Sequence, residues 1–280
     1  MMCWRTLTKE CAIAKNQPVG GQAPVVQRIR LRYAKRGPLR FTSHRDFARA
    51  FERALRRAAA PIAFSQGFTP HPKISYASAA PTGVASEAEY LEIGLQAAVD
   101  PEELRLALDA ALSPGLDVLE AVVATEGTSL ADRIDAARWR LELPGVTDAA
   151  AAEAVEKFLA AEEVQVERMT KQGRRSFDTR SAVTFFAVTQ QSGAPSGAAA
   201  VPCAIIDLVV RQVTPAVRPD DVLSGLRVVA GLEPPVPPRA TRLAQGRLVT
   251  GTLDQGTLTP QGEIVDPLAA DREDATIGGR

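Results

Sequence analysis

Residues 37–73 read GPLRFTSHRDFARAFERALRRAAAPIAFSQGFTPHPK, and the spacing of apolar and basic side chains within them decides the first folding element. Ser43 precedes an amphipathic run and Asp46 stands three residues later. The hydroxyl can therefore accept from a first-turn N–H while the carboxylate returns toward the cap, a short form of the capping box. Phe47, Phe51, Ala54, Leu55 and Ala58 then fall at helical offsets, which at about 100° per residue gather onto one apolar stripe. The pattern predicts a helix opening at Ser43 with that stripe in the core. Arg45, Arg49, Arg53, Arg56 and Arg57 lie on the opposite side, with only Asp46 and Glu52 inside the helix to balance them. A solvated charged face is the simpler reading of any such run, and an outside anionic partner is the functional one.

Working outward, Val25 to Ala34 alternates, with Val26, Arg28, Arg30 and Arg32 on one side and Val25, Gln27, Ile29, Leu31 and Tyr33 on the other. This is the signature of a strand with one buried face. Gly37 and Pro38 end it. After the helix come a short strand over Pro61–Phe64, a turn at Ser65, Gln66 and Gly67, and a stiff loop or sheet edge where Pro70 and Pro72 bracket His71. Lys73–Ser78 and Glu89–Leu95 read as strands. Asp100 and Pro101 open a second helix carrying Leu104, Leu108 and Leu112, stopped at Pro114, and Leu116–Ala124 closes the unit. Strand, helix, strand, strand, helix, strand is the order of the ferredoxin-like split βαβ.

A polar linker, Thr125–Asp135, leads to the same pattern again. Arg138–Leu143 is a strand, Thr147–Ala161 a helix and Glu163–Thr170 a strand. A hairpin at Lys171–Arg175 turns into Ser176–Thr189. The Gly-, Ser- and Ala-rich loop 190–200 is expected to be flexible. Ala204–Val213 is a buried strand, Arg218–Ala230 a helix and Arg239–Val249 a final strand. The expected fold is α+β, two tandem ferredoxin-like domains with antiparallel sheets over 25–124 and 136–249. A mobile leader (1–24) and a disordered acidic tail (250–280) flank them, the tail having almost no apolar periodicity.

A chain of 280 residues accommodates two domains of ordinary size, about 100–150 residues each. Its net charge is zero, but Gln27–Lys73 carries twelve Lys or Arg against two acids, net +10, and Val84–Glu126 carries ten acids against Arg105, net −9. Such polarity suits an anionic ligand on one face and attraction between the two segments. Cys3, Cys11 and Cys203 are too few and too scattered for a disulfide framework or a structural zinc site, which fits a reducing cytosol. No run reaches the roughly 18 apolar residues of a membrane span.

Both histidines, His44 and His71, fall in the basic segment. A histidine pair can act as acid and base on a phosphodiester, so a metal-independent RNA-processing nuclease is the alternative reading. Structurally, His44 is an unremarkable residue at the helix N1 position and His71 a loop residue. Neither has a third ligand at metal spacing, and no cofactor is indicated. Gly37 followed by the helix start could receive a phosphate. Phe41 and Phe68 bracket that site and could stack on bases as in single-strand binders, although each alone reads more simply as a core residue. A second basic cluster, Lys171, Arg174, Arg175 and Arg180, lies on the hairpin, with Asp178 placed to pair with an arginine. Cys203 reads as a small buried hydrophobe. The RNA- or partner-binding surface expected from these features comprises Lys35, Arg36, Arg40, Ser43, His44, Arg45, Arg49, Arg53, Gln66, Gly67, His71, Lys73, Arg174, Arg175 and Arg180.

GPLRFTSHRDFARAFERALRRA, FSQGFTPHPKISYA and EAEYLEIGL, with GRRSFDTR and the TRL at Thr241, resemble the uncharacterised radical-SAM-associated protein family, a domain encoded beside or fused to radical SAM proteins. The resemblance implies cooperation with a radical SAM enzyme, many of whose relatives modify RNA. It places Gly37, Leu39, Ser43, His44, Gln66, Gly67, His71 and Pro72 on the family's motif. Thr42 and Arg45 stand where apolar residues are usual, and the acidic tail is additional. The chain lacks the CxxxCxxC run that ligates a [4Fe–4S] cluster, so an accessory role follows.

Overall fold

The structure, a computed structural model, describes residues 24–66, 68–170, 173–189, 201–249 and 263–277. Residues 1–23 of the expected leader and the loop 190–200 lie outside the described residues, as do Gly67 and Lys171. The first half runs β1 (Gln27–Lys35), α1 (His44–Arg57), β2 (Ile74–Ala77), β3 (Ala85–Leu95), α2 (Pro101–Ala111) and β4 (Val118–Val123), with a 3-10 turn over Gly37–Phe41 before α1. β1 pairs antiparallel with β3 and β4, and β2 antiparallel with β3. The spatial order β4-β1-β3-β2 follows when each helix carries the chain across a strand. Pro61–Phe64 makes only two isolated bridges, Ile62 to Leu95 and Phe64 to Pro72; the prolines on either side leave too few donors for a longer ladder.

The second half comprises β5 (Ala136–Pro144), α3 (Asp148–Ala160), β6 (Gln165–Thr170), β7 (Gly173–Asp178), β8 (Val183–Thr189), β9 (Cys203–Arg211), α4 (Pro219–Ala230) and β10 (Arg239–Val249). Its main strands run β10-β5-β9-β8, the same pattern, while β6 and β7 form a separate two-stranded ribbon. The expected long strand Ser176–Thr189 is broken at Thr179–Ala182. There Asp178 accepts from the N–H groups of Val164, Arg180 and Ser181. The turn is thus held by backbone donors and not by the arginine pair anticipated for Asp178.

The two sheets expected from the sequence are one. Strands run continuously as β4-β1-β3-β10-β5-β9-β8, because β3 is long enough to serve two neighbours on one side. Its Tyr90–Ile93 stretch holds β2, and its opening residues Ala85 and Ser86 pair in parallel with Thr241 and Arg242 of β10. At this junction the buried Arg242 guanidinium bonds to the buried Glu89 carboxylate. Glu89 also accepts from the Ala80 N–H at 3.0 Å, and the Arg242 guanidinium sits 5.5 Å from the Trp139 ring centre.

One core packs α1 and α2 against the first half of the sheet, with Phe47 stacked on Tyr33 at 4.2 Å and Phe51 and Leu55 buried beside it. A second packs α3 and α4 against the other half around Phe158. The third cluster corrects the sequence reading. The anticipated polar linker buries Leu130 and Ile134, and the anticipated disordered tail buries Leu268, all against Ala88 and Tyr90 on the sheet. Among the described residues the tail forms β11 (Glu263–Val265), paired with β10, and α5 (Ala269–Ile277). Gly246 of β10 permits this contact, since a Cβ there would lie 1.9 Å from the Val265 carbonyl oxygen.

Arg30, assigned to a solvent face by its alternation, is buried for the same reason. The linker and tail cover its side of β1. Its Nη1 donates to both oxygens of Asp271 at 2.8 and 3.0 Å, and its Nε donates to Glu92 at 2.9 Å. Asp271, fully buried, also accepts from Arg133 and from the N–H and hydroxyl of Thr125. No helix among the described residues is long and apolar enough to cross a membrane.

Candidate functional site on helix α1

Helix α1 begins as its sequence dictates. Ser43 is the N-cap, its oxygen accepting from the Asp46 N–H at 3.2 Å, and its hydroxyl donates to the Asp46 carboxylate at 2.7 Å. The carboxylate thus engages the cap side chain and not the backbone N–H of a full capping box. Phe47, Phe51, Ala54 and Leu55 are buried, and Arg45, Arg49, Arg53, Arg56 and Arg57 are exposed on the other side. Fourteen residues make this face about 20 Å long at 1.5 Å rise per residue.

The charge reading divides at this point. The strand arginines are consumed internally by the acidic segment: Arg28 and Arg30 by Glu92, Arg32 by Glu120, and Arg36 by Glu87 and Asp117. These contacts are the attraction anticipated between the two segments. Lys35 is buried, its Nζ donating at 3.4–3.5 Å to the carbonyls of Thr42, Ala80 and Pro81. Burial pushes its pKa down while nearby Glu89 draws it back up. It supports the loop beneath the helix start and offers no surface charge.

On α1 the balance is different. Arg49 reaches Asp46 only at 3.9 Å with both side chains well exposed, and Arg57 donates to the Ala111 carbonyl of α2 at 3.1 Å. Among the described residues, Arg45, Arg53 and Arg56 make no ion pair. Since solvated pairs contribute little, about 0–1 kcal/mol, the stripe keeps nearly its whole charge for an outside ligand.

The remaining anticipated residues separate into groups. The His44 ring packs edge-on to Tyr76 with centroids 4.8 Å apart. His71 lies on the 65–72 loop, where its N–H donates to the Ser65 hydroxyl and its carbonyl accepts from the Ser65 N–H. Among the described residues no ring contact or hydrogen bond joins His44 to His71. Gln66 and Lys73 are exposed. On the ribbon, Arg174 pairs with Glu167 at 3.1 Å, Arg175 is exposed, and Arg180 is spent on the carbonyls of Leu159 and Val183.

Sequence reasoning undervalued the two phenylalanines. Phe41 is 59% and Phe68 108% exposed, so neither is a core residue. The signal was local: Phe41 sits in a Pro-containing turn outside the helical stripe, and Phe68 follows Gly67 in a loop confined by Pro70 and Pro72. Cys203 is only partly buried, being the first residue of β9. No group of three or more His, Cys, Asp or Glu side chains that could hold a metal ion occurs among the described residues.

Fold and site define the class: an α+β protein whose joined sheet displays one basic helix face. The chain belongs to the bacterial family described as an uncharacterized protein conserved in bacteria (DUF2344), whose model matches residues 28–219. That span includes α1 and both halves of the acidic–basic pairing, and stops before β10 and the docked tail. No curated protein matches the chain.

Proposed function

We propose that the protein is an accessory partner of a radical SAM enzyme and binds RNA through the exposed face of α1. The observation that supports this reading is the contrast between β1 and α1. Acids of the same half neutralise the strand arginines, whereas Arg45, Arg53 and Arg56 project from α1 without ion pairs among the described residues. Fixed, unpaired guanidinium groups along a helix face are suited to phosphates, which accept two parallel N–H bonds from each fork. The partner enzyme enters through the resemblance of the Gly37–Ala58 and Phe64–Ala77 motifs to the radical-SAM-associated family.

Each phosphate contact releases condensed counterions, so affinity for single-stranded RNA falls with salt at a log–log slope of about −0.7 per contact. Replacing Arg45 and Arg53 together by Gln flattens that slope by about 1.4. The unfolding midpoint stays within error of wild type, because both side chains lie opposite the apolar stripe. Fluorescence anisotropy of a labelled oligoribonucleotide across a salt series reads the slope; an unchanged slope in the double variant contradicts the assignment.

A further inference from the structure

We infer that Phe41 is a stacking platform for an unpaired base, so that the RNA ligand is held single-stranded. This rests on the RNA reading above and goes beyond it by naming the form of the ligand and a residue outside the arginine stripe.

Phe41 closes the 3-10 turn Gly37–Phe41, two residues before the N-cap of α1. The turn is fixed on both sides: the Thr42 N–H donates to the Leu39 carbonyl at 2.9 Å, and the Gly83 N–H donates to the Arg40 carbonyl at 2.8 Å. The Phe41 ring lies beside Gly83, where a Cβ would come within 3.7 Å of it. Phe41 as a residue remains 59% exposed. A large apolar group held open by a rigid backbone loses little conformational entropy when a flat ligand covers it. The Arg40 guanidinium lies 4.6 Å from the ring centre. Aromatic ring and guanidinium plane are the two side-chain surfaces on which unstacked bases stack. Here they stand together at the head of the arginine stripe, with Arg45 on the first turn of α1. A duplex offers phosphates to the arginines but no free base face to Phe41.

The test uses the full chain and labelled oligoribonucleotides, the same sequence free and annealed to its complement. Wild type is expected to bind the single strand at least about tenfold more tightly than the duplex. Stacking strengths of this kind predict that Phe41→Ala weakens single-strand binding by about 5- to 150-fold. The salt slope should stay unchanged, since no phosphate contact is removed. Phe41→Tyr retains the affinity and serves as the second variant if alanine loosens the turn. Phe41→Leu behaves like Phe41→Ala, because leucine restores apolar packing but has no ring to stack on. Wild-type affinity in Phe41→Ala, restoration by leucine, or equal affinity for the duplex overturns this inference while leaving RNA binding intact. A wild type with no RNA affinity overturns the functional reading itself.

Discussion

Glu89→Ala is expected to cost about 3–5 kcal/mol of folding stability, the usual consequence of stripping one partner from a buried ion pair. Arg242 and Glu89 are both nearly inaccessible to solvent. Without the carboxylate, Arg242 keeps its charge in a dry site, the Ala80 N–H loses its acceptor, and Lys35 loses the attraction that offsets its burial. Removing both charges is a different experiment. Glu89→Met combined with Arg242→Met leaves no orphaned ion between them and is expected to be much milder than either single change, since apolar replacements of buried pairs are often neutral or stabilising. Equilibrium urea unfolding with a double-mutant cycle measures the coupling. A single variant costing less than about 1 kcal/mol, or a double variant as unstable as the sum of the singles, contradicts the view that this pair locks β3 to β10.

Asp271→Ala is expected to release the C-terminal segment. Arg30, Arg133 and Thr125 all direct donors at this one carboxylate, and its loss leaves the Nη1 groups of Arg30 and Arg133 without their carboxylate in a buried site, Arg30 keeping only Glu92 as an ionic partner. The cost, again about 3–5 kcal/mol at most, is capped by the docking energy of the segment, because undocking lets Arg30 and Arg133 hydrate. The readout is therefore local: faster amide hydrogen exchange at Leu268–Arg272 with slow exchange retained in β1 and β3. The pH dependence has a definite sign. Burial alone would raise the Asp271 pKa, but the hydrogen bonds from Arg30 and Thr125, with the Arg30 charge, hold it below the ordinary value. A depressed carboxylate contributes its stability above the unfolded pKa of about 3.9 and loses it as the pH falls through the folded value. Docking should accordingly persist at pH 5 and weaken only in stronger acid. Unchanged exchange in Asp271→Ala would show that Leu268 and the β11 pairing hold the segment without it.

The contrast between these sites and α1 explains what was legible in the sequence. Helix α1 was readable because its determinants are local: a Ser43 cap, an apolar stripe at helical spacing and arginines on the other side. The Asp100–Pro101 and Thr147 helix starts were readable for the same reason. The single sheet was not, because Glu89 and Arg242 are distant in the chain and a charged residue within a strand gives no sign of which neighbour will neutralise it. Arg30 misled more directly. Alternation marks one face as polar, and the linker together with Asp271, far along the chain, makes that face an interior. The docked tail lacks periodicity since, among its described residues, only Pro267, Leu268 and Asp271 are buried. For the site, counting charge located the segment but overstated the surface: Lys35 is buried and the strand arginines are paired, which leaves the α1 stripe with Arg40 and Lys73.

The most direct test of the account is the salt dependence of wild-type binding to a single-stranded oligoribonucleotide. Three unpaired arginines, Arg45, Arg53 and Arg56, predict a log–log slope of at least about −2 in magnitude for the full chain. A slope near zero, or no measurable affinity at low salt, would contradict RNA binding by α1 and leave its charge to dock the proposed partner enzyme instead.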